Sequence, residues 1–348
     1  MFSAPRTLLA ALVLAAVSVS ADPSLSLKLS GPKSAAGVEN LRVVATITNT
    51  GSETVKVLND PRTLLSKRPV NKFSITDGVG RRPAFTGIKV KYSPEAAAKL
   101  GGYTVLAPGA SVSVTHDLSE GYNFTTSGAG AYDFEADNTF YIVKDNNEVG
   151  VVYAEEPAVL TTSVTGNLAV ARRDEPSLSK RATFNGCSSS RQTILNTAIA
   201  SAETYASESY KYLSSLSSGT TRYTTWFGAY TSSRKSTVTS HFQKIDANNF
   251  STFTYDCTCT DSAYAYVYPS TFGKIYLCNA FWNAPNTGTD SRAGTIIHEA
   301  SHFTANGGTD DLGYGQTNAK NLAKNNPSSA IMNADNHEYF AENNPKLA

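Results

Sequence analysis

The sequence predicts a protein of two unlike parts: an all-β, sandwich-like first half, then an α+β second half rich in helix with a small sheet. Three observations carry this. Short alternating apolar runs bounded by turn residues fill residues 22 to about 170; helical periodicity takes over from residue 188; and all four cysteines, Cys187, Cys257, Cys259 and Cys278, lie in the second half. The 348 residues allow one large domain or two ordinary ones, and 41% apolar with only 17% charged residues is the composition of a folded protein. A formal net charge of +1 gives no electrostatic basis for binding nucleic acid or an anionic membrane surface.

In chain order, Arg6 precedes an apolar run from Leu8 to Val19 that ends in Val19-Ser20-Ala21. This is the pattern of a signal peptide over residues 1–21, too short to span a bilayer, and it predicts a secreted, extracellular protein. The alternation Leu41, Val43, Ala45, Ile47, then the turn residues Asn49-Thr50-Gly51-Ser52, then Val55 and Val57, predicts a hairpin. Runs at 73–75, 103–106, 111–114, 139–143 and 158–164 repeat at sandwich-like intervals. This half has one histidine, His116, no cysteine and no cluster of catalytic residue types. Residues 171–181 form a polar, proline-containing linker ending in the dibasic pair Lys180-Arg181, which separates the cysteine-free half from the cysteine-bearing one. The expectation is a propeptide over 22–181 and a mature domain over 182–348.

Residues 188–216 carry Ile194, Ala198, Ala202, Tyr205 and Tyr212 at helical intervals, and 225–242 is a second predicted helix. Residues 263–268 and 274–278, separated by Pro269 and Gly273, predict two strands of a small sheet. His241 reads as a packed or surface histidine rather than a ligand, since no second ligand type stands at a helical or strand spacing from it. An even cysteine count in an exported chain predicts two disulfides, and a bond between Cys257 and Cys259 is disfavoured because side chains two apart on a strand do not meet disulfide geometry. Sequons occur at Asn123 and Asn249.

The chemistry concentrates in residues 294–315. His298 and His302 stand four apart, on one face of a helix, with Glu299 beside them. Two neutral imidazoles next to a carboxylate that is not itself a ligand suit a zinc site, where metal-bound water loses its proton to the carboxylate. Ala305 and Gly308 stand where a metzincin needs Gly and His, so that ligand set is excluded. The next glutamate after Glu299 is the distant Glu338, whereas Asp310 and Asp311 follow the flexible Asn306-Gly307-Gly308. Spacing leaves both aspartates open as third ligand. Further on, Asp335 and Glu338 lie one helical turn apart; on residue type alone they read first as an exposed acidic turn, and two carboxylates that instead faced one cavity would call for a cation between them.

His298-Glu299-Ala300-Ser301-His302 followed by Gly308-Thr309-Asp310-Asp311-Leu312-Gly313-Tyr314-Gly315 resembles the HExxH and GTxDxxYG signature of the aspzincins, the deuterolysin-like M35 peptidases. Residues 183–348 most resemble the fungal peptidyl-Lys metalloendopeptidases within that family, through Asn185-Gly186-Cys187, Cys257-Thr258-Cys259-Thr260, 265–269 and 332–340 as well. The resemblance implies a zincin-like catalytic domain with one Zn2+ per chain on His298, His302 and Asp311, Glu299 as base, and Tyr314 donating to the tetrahedral oxyanion. It implies the disulfides Cys187–Cys257 and Cys259–Cys278, and assigns Asp335 and Glu338 to an acidic pocket for the lysine at P1′. The expected function is therefore a secreted zinc metalloendopeptidase, made as a zymogen, cutting proteins and peptides on the amino side of lysine. The expected partners are those substrates and its own propeptide, with no nucleic acid or membrane, and the enzyme is expected to act as a monomer. The propeptide is expected to block the site or help it fold, and having no cysteine it cannot do so by a thiol on zinc. The alternatives are a deuterolysin-type peptidase of broader preference and a secreted zinc-binding protein without turnover, against which the intact Glu299 argues.

Overall fold

A computed structural model describes residues 23–155, 159–170 and 181–348. The expected signal peptide and Lys180 lie outside the described residues. Among them, no helix is long and apolar enough to cross a membrane.

The first half is β-rich, as its alternation predicts, but three larger sheets rather than two close over one apolar core. Leu25–Ser30, Arg42–Asn49 and Ser111–Asp117 form an antiparallel sheet in which Val43, Ala45 and Ile47 turn inward. A second sheet runs Ser34–Ala36, Val159–Thr165, Gly130–Ala136, Phe73–Asp77, and a third Val149–Tyr153, Thr139–Val143, Val55–Leu58, Tyr103–Leu106. The hairpin predicted across residues 49–52 is absent, because its two strands belong to different sheets. The buried Asn49 explains the change of direction: its amide donates to the carbonyls of Glu53 and Leu106, and its Oδ1 accepts from Gly51 N–H. The turn is thereby pinned to the third sheet instead of folding back on the first.

In the second half the helix Ser189–Ser215 begins at a Ser188 cap and lays Leu195, Ala198, Ile199 and Ala202 into the core. The single helix predicted over 225–242 is two, Thr221–Phe227 and Ser232–Asp246. Gly228 adopts φ +78°, where an added Cβ would lie 2.2 Å from the Ala323 carbonyl oxygen, and Thr231 restarts the helix by accepting from Arg234 N–H. Arg292–His302 and Ala334–Glu342 pack on each other and on the long helix, with Ile296, Ile297 and Phe340 in the shared core. The disulfides Cys187–Cys257 and Cys259–Cys278 form as the family resemblance implies.

The two predicted strands appear as Ala265–Val267 and Lys274–Leu277, inside a five-stranded sheet ordered Thr183–Asn185, Thr254–Asp256, Lys274–Leu277, Ala265–Val267, Lys89–Lys91. The last strand belongs to the first half. It pairs antiparallel with Ala265–Val267, with Lys91 opposite Ala265, Val90 opposite Tyr266 and Lys89 opposite Val267. Ile88, Val90, Tyr92 and Ala97 pack there with Ala263, Tyr314 and the Cys259–Cys278 bridge, so the halves share an apolar seam beside the histidine helix.

Candidate active site

The helix Arg292–His302 is capped by Ser291, whose Oγ accepts from Gly294 N–H, and His298, Glu299 and His302 on it are fully buried. Beyond it the chain turns so that the Thr309 carbonyl accepts from His302 Nδ1 at 2.9 Å and Ser301 Oγ meets Thr309 Oγ1 at 2.6 Å. The turn carries Asp311 Oδ1 to 3.1 Å from His298 Nε2 and 3.2 Å from His302 Nε2. Its neighbour Asp310 instead forms an ion pair with Lys89 and is half exposed. Of the two aspartates that spacing left open, Asp311 is the one brought to both histidines.

These three residues suit a metal. With Nδ1 of His302 donating to a carbonyl, Nε2 presents a lone pair; this buried nitrogen has no hydrogen-bond partner and faces the Asp311 carboxylate oxygen. Two electron-rich atoms held together away from water need a cation, and two nitrogens with one carboxylate form a set that zinc accepts while keeping a position open. His298 is oriented from behind: Nδ1 lies 3.0 Å from Asp335 Oδ1 and 3.2 Å from Glu338 Oε2, both on the helix Ala334–Glu342. Asp335 is itself held by Gly315 N–H at 2.6 Å.

A second side chain meets those carboxylates. Lys91, only 1% exposed, places Nζ 2.7 Å from Glu338 Oε2, 3.1 Å from Asp290 Oδ1 and 3.9 Å from Asp335 Oδ1, above the rings of Tyr264 and Tyr339. Asp290, one of these partners, was not singled out by sequence reasoning. It sits at φ +52° just before the Ser291 cap; Tyr339 donates to its Oδ1 at 2.7 Å, and its own N–H and that of Ser291 donate to Glu342. Against the upward push of burial, the Lys91 ammonium and the Tyr339 hydroxyl hold the Asp290 carboxyl below the ordinary aspartate value. Glu342, behind it, is raised by burial and by nearby Glu338 to about 9.

The backbone around Lys91 meets the remaining predicted residues. Glu299 Oε1 accepts from Lys91 N–H at 3.1 Å, and burial pushes the Glu299 carboxyl up to about 8. The Tyr314 hydroxyl donates to the Val90 carbonyl at 2.5 Å, and Val90 N–H donates to Asp311 Oδ2 at 2.9 Å. One peptide bond, Val90–Lys91, therefore lies between the expected base and the expected oxyanion donor. No local signal in residues 88–92 announces this, since the partners lie some two hundred residues downstream. His241, read as a packed or surface histidine, is the packed one, its Nδ1 3.0 Å from Nε2 of His337.

Comparison with known proteins shows the family to which the chain belongs. The profile of the aspzincin M35 family, described as lysine-specific metallo-endopeptidase, matches residues 212–342. The peptidyl-Lys metalloendopeptidase of Grifola frondosa is 55% identical, over 97% of this chain and 98% of its own. That of Armillaria mellea is 56% identical over 99% of each. An extracellular protease of Aeromonas hydrophila is 38% identical over 88% of this chain and 89% of its own.

Proposed function

Because the chain belongs to the aspzincin M35 family of lysine-specific metallo-endopeptidases, we propose that it hydrolyses protein and peptide bonds on the amino side of lysine. It is made as a secreted zymogen: signal peptide 1–21, propeptide 22–181 released at Lys180-Arg181, and mature zincin-like domain 182–348 acting as a monomer. The bacterial relative's name, extracellular protease, supports export. The carrying observation is the Lys91 ammonium among Glu338, Asp290 and Asp335, directly beside Glu299 and Tyr314.

His298, His302 and Asp311 would hold one Zn2+, which when bound acidifies a water and polarises the scissile carbonyl. The chain's own residues do the rest. Glu299 takes a proton from the water and returns it to the leaving amine, at the position where its Oε1 now faces the Lys91 nitrogen. Tyr314 donates to the oxygen that becomes negative in the tetrahedral state, the position now held by the Val90 carbonyl. Glu338, Asp335 and Asp290 bind the substrate ammonium, and a lysine entering this pocket replaces its water shell with three carboxylates and two aromatic faces. Digesting a mixed protein substrate with the processed enzyme and sequencing the new N-termini tests the assignment. A strong excess of lysine at the first position is expected, and its absence sinks the lysine assignment.

A further inference from the structure

Lys91 is buried at a place its own half gives no reason for. Burying an ammonium is unfavourable unless it is paired, yet its ion pairs and ring contacts are all with the second half: Asp290, Asp335, Glu338, Tyr264 and Tyr339. Resting on the function proposed above, we propose that Lys89–Lys91 is a tethered substrate analogue. The first half silences the enzyme by holding the Val90–Lys91 peptide in the register of a scissile bond, with Lys91 in the lysine pocket.

Three independent features agree on that register. The strand adds to the edge Ala265–Val267 with regular antiparallel pairing, the mode in which an extended peptide gains main-chain hydrogen bonds while alternate side chains enter pockets. The carbonyl preceding the lysine is the one that meets Tyr314, and the nitrogen of the lysine is the one that meets Glu299. The side chain that fills the acidic pocket belongs to that same residue. A shift of one residue would turn Lys91 to the opposite face of the strand and break all three at once. The neighbouring cations secure the segment: Lys89 on Asp310, Arg68 on Asp261, and the Arg62 guanidinium 4.6 Å above the Tyr314 ring. A substrate cannot enter the cleft while these contacts stand.

The test uses the full-length precursor carrying Lys180→Ala and Arg181→Ala, so that the halves stay joined. It is assayed with and without a further Lys91→Ala on a peptide containing a single lysine. The parent precursor is expected to be nearly silent, and the Lys91→Ala precursor to cleave at least tenfold faster. In parallel, the lysines of the folded parent precursor are reductively methylated and mapped by peptide mass, with the exposed Lys28 and Lys33 as references. Lys91 is expected to stay unmodified. A folded Lys91→Ala precursor as silent as its parent, or Lys91 methylated as fast as Lys28 and Lys33, overturns the proposal. If Lys91→Ala does not fold, the methylation alone decides. The cleavage products of the processed wild-type enzyme report separately on lysine specificity, so the two readings fail by different measurements.

Discussion

Replacing Asp290 by Asn isolates the charge of a Lys91 partner that the sequence did not announce. The asparagine keeps an oxygen to accept from the Tyr339 hydroxyl and removes only the negative charge 3.1 Å from the ammonium. A hydrogen bond to a charged group contributes about 1.5–3 kcal/mol. Asp290 is 34% exposed at its side chain, so water screens it and the lower figure applies, about a tenfold loss in kcat/KM for peptides with lysine at P1′. Glu338→Gln is the internal reference: that carboxylate is fully buried and 2.7 Å from the ammonium, which points to the upper figure and a loss on the order of 100-fold. The assay is steady-state cleavage of a quenched fluorescent peptide by the processed enzyme, with metal content measured alongside. Because Asp290 contacts the Lys91 ammonium and neither histidine, its loss should fall mainly on KM and leave the metal in place. A variant within twofold of wild type would refute the reasoning, as would an equal loss on a peptide without lysine.

Other consequences are open to measurement. Glu299→Gln should lower kcat by about 100- to 10,000-fold while the protein keeps its metal and its melting temperature, read by atomic absorption and calorimetry. Burial, reinforced by the nearby Lys72 ammonium, pushes His116 in the first half down to about 4 from an ordinary 6.5. Since the unfolded chain takes up that proton first, the stabilisation is complete above pH 6.5 and is lost as the pH falls toward 4. The loss reaches about 3 kcal/mol, visible as a falling urea midpoint of the precursor that His116→Gln should flatten. Replacing Cys187 and Cys257 together by Ser opens a bridge spanning 70 residues and should lower the stability of the second half by about 4 kcal/mol, measured by denaturant unfolding.

How much of this was legible depended on the range of the physics involved. The histidine pair and Glu299 are written in one helical turn, and the Ser291 cap and buried helix place them as spacing demands. The third ligand was narrowed to two residues by spacing, and the reach of Asp311 to both histidines separates them in space. The break at Gly228 had a local signal in the glycine and the Thr231 cap that follows, one that helical periodicity outweighed. The hairpin at 49–52 misled because alternation reports which face is buried and not which strand lies alongside. Asp290 and Lys91 had no local signal, since an aspartate in a polar loop and a lysine in a three-residue strand acquire meaning only from partners far along the chain.

The five-stranded sheet has its two rims closed in different ways. One is closed by Thr183–Asn185, which begins two residues past Arg181 and would stay with the enzyme under the processing proposed above; the other is closed by Lys89–Lys91, which would depart. An uncovered rim is a template on which any extended chain can add, and in a crowded secretory compartment that invites molecule-to-molecule pairing. Covering it with a strand from the same chain during folding guards against that hazard. Under the processing proposed above, removing the strand would turn the same hydrogen-bonding row into the place where substrates are gripped, so one short rim of backbone would serve first as a guarded weakness and then as the working surface.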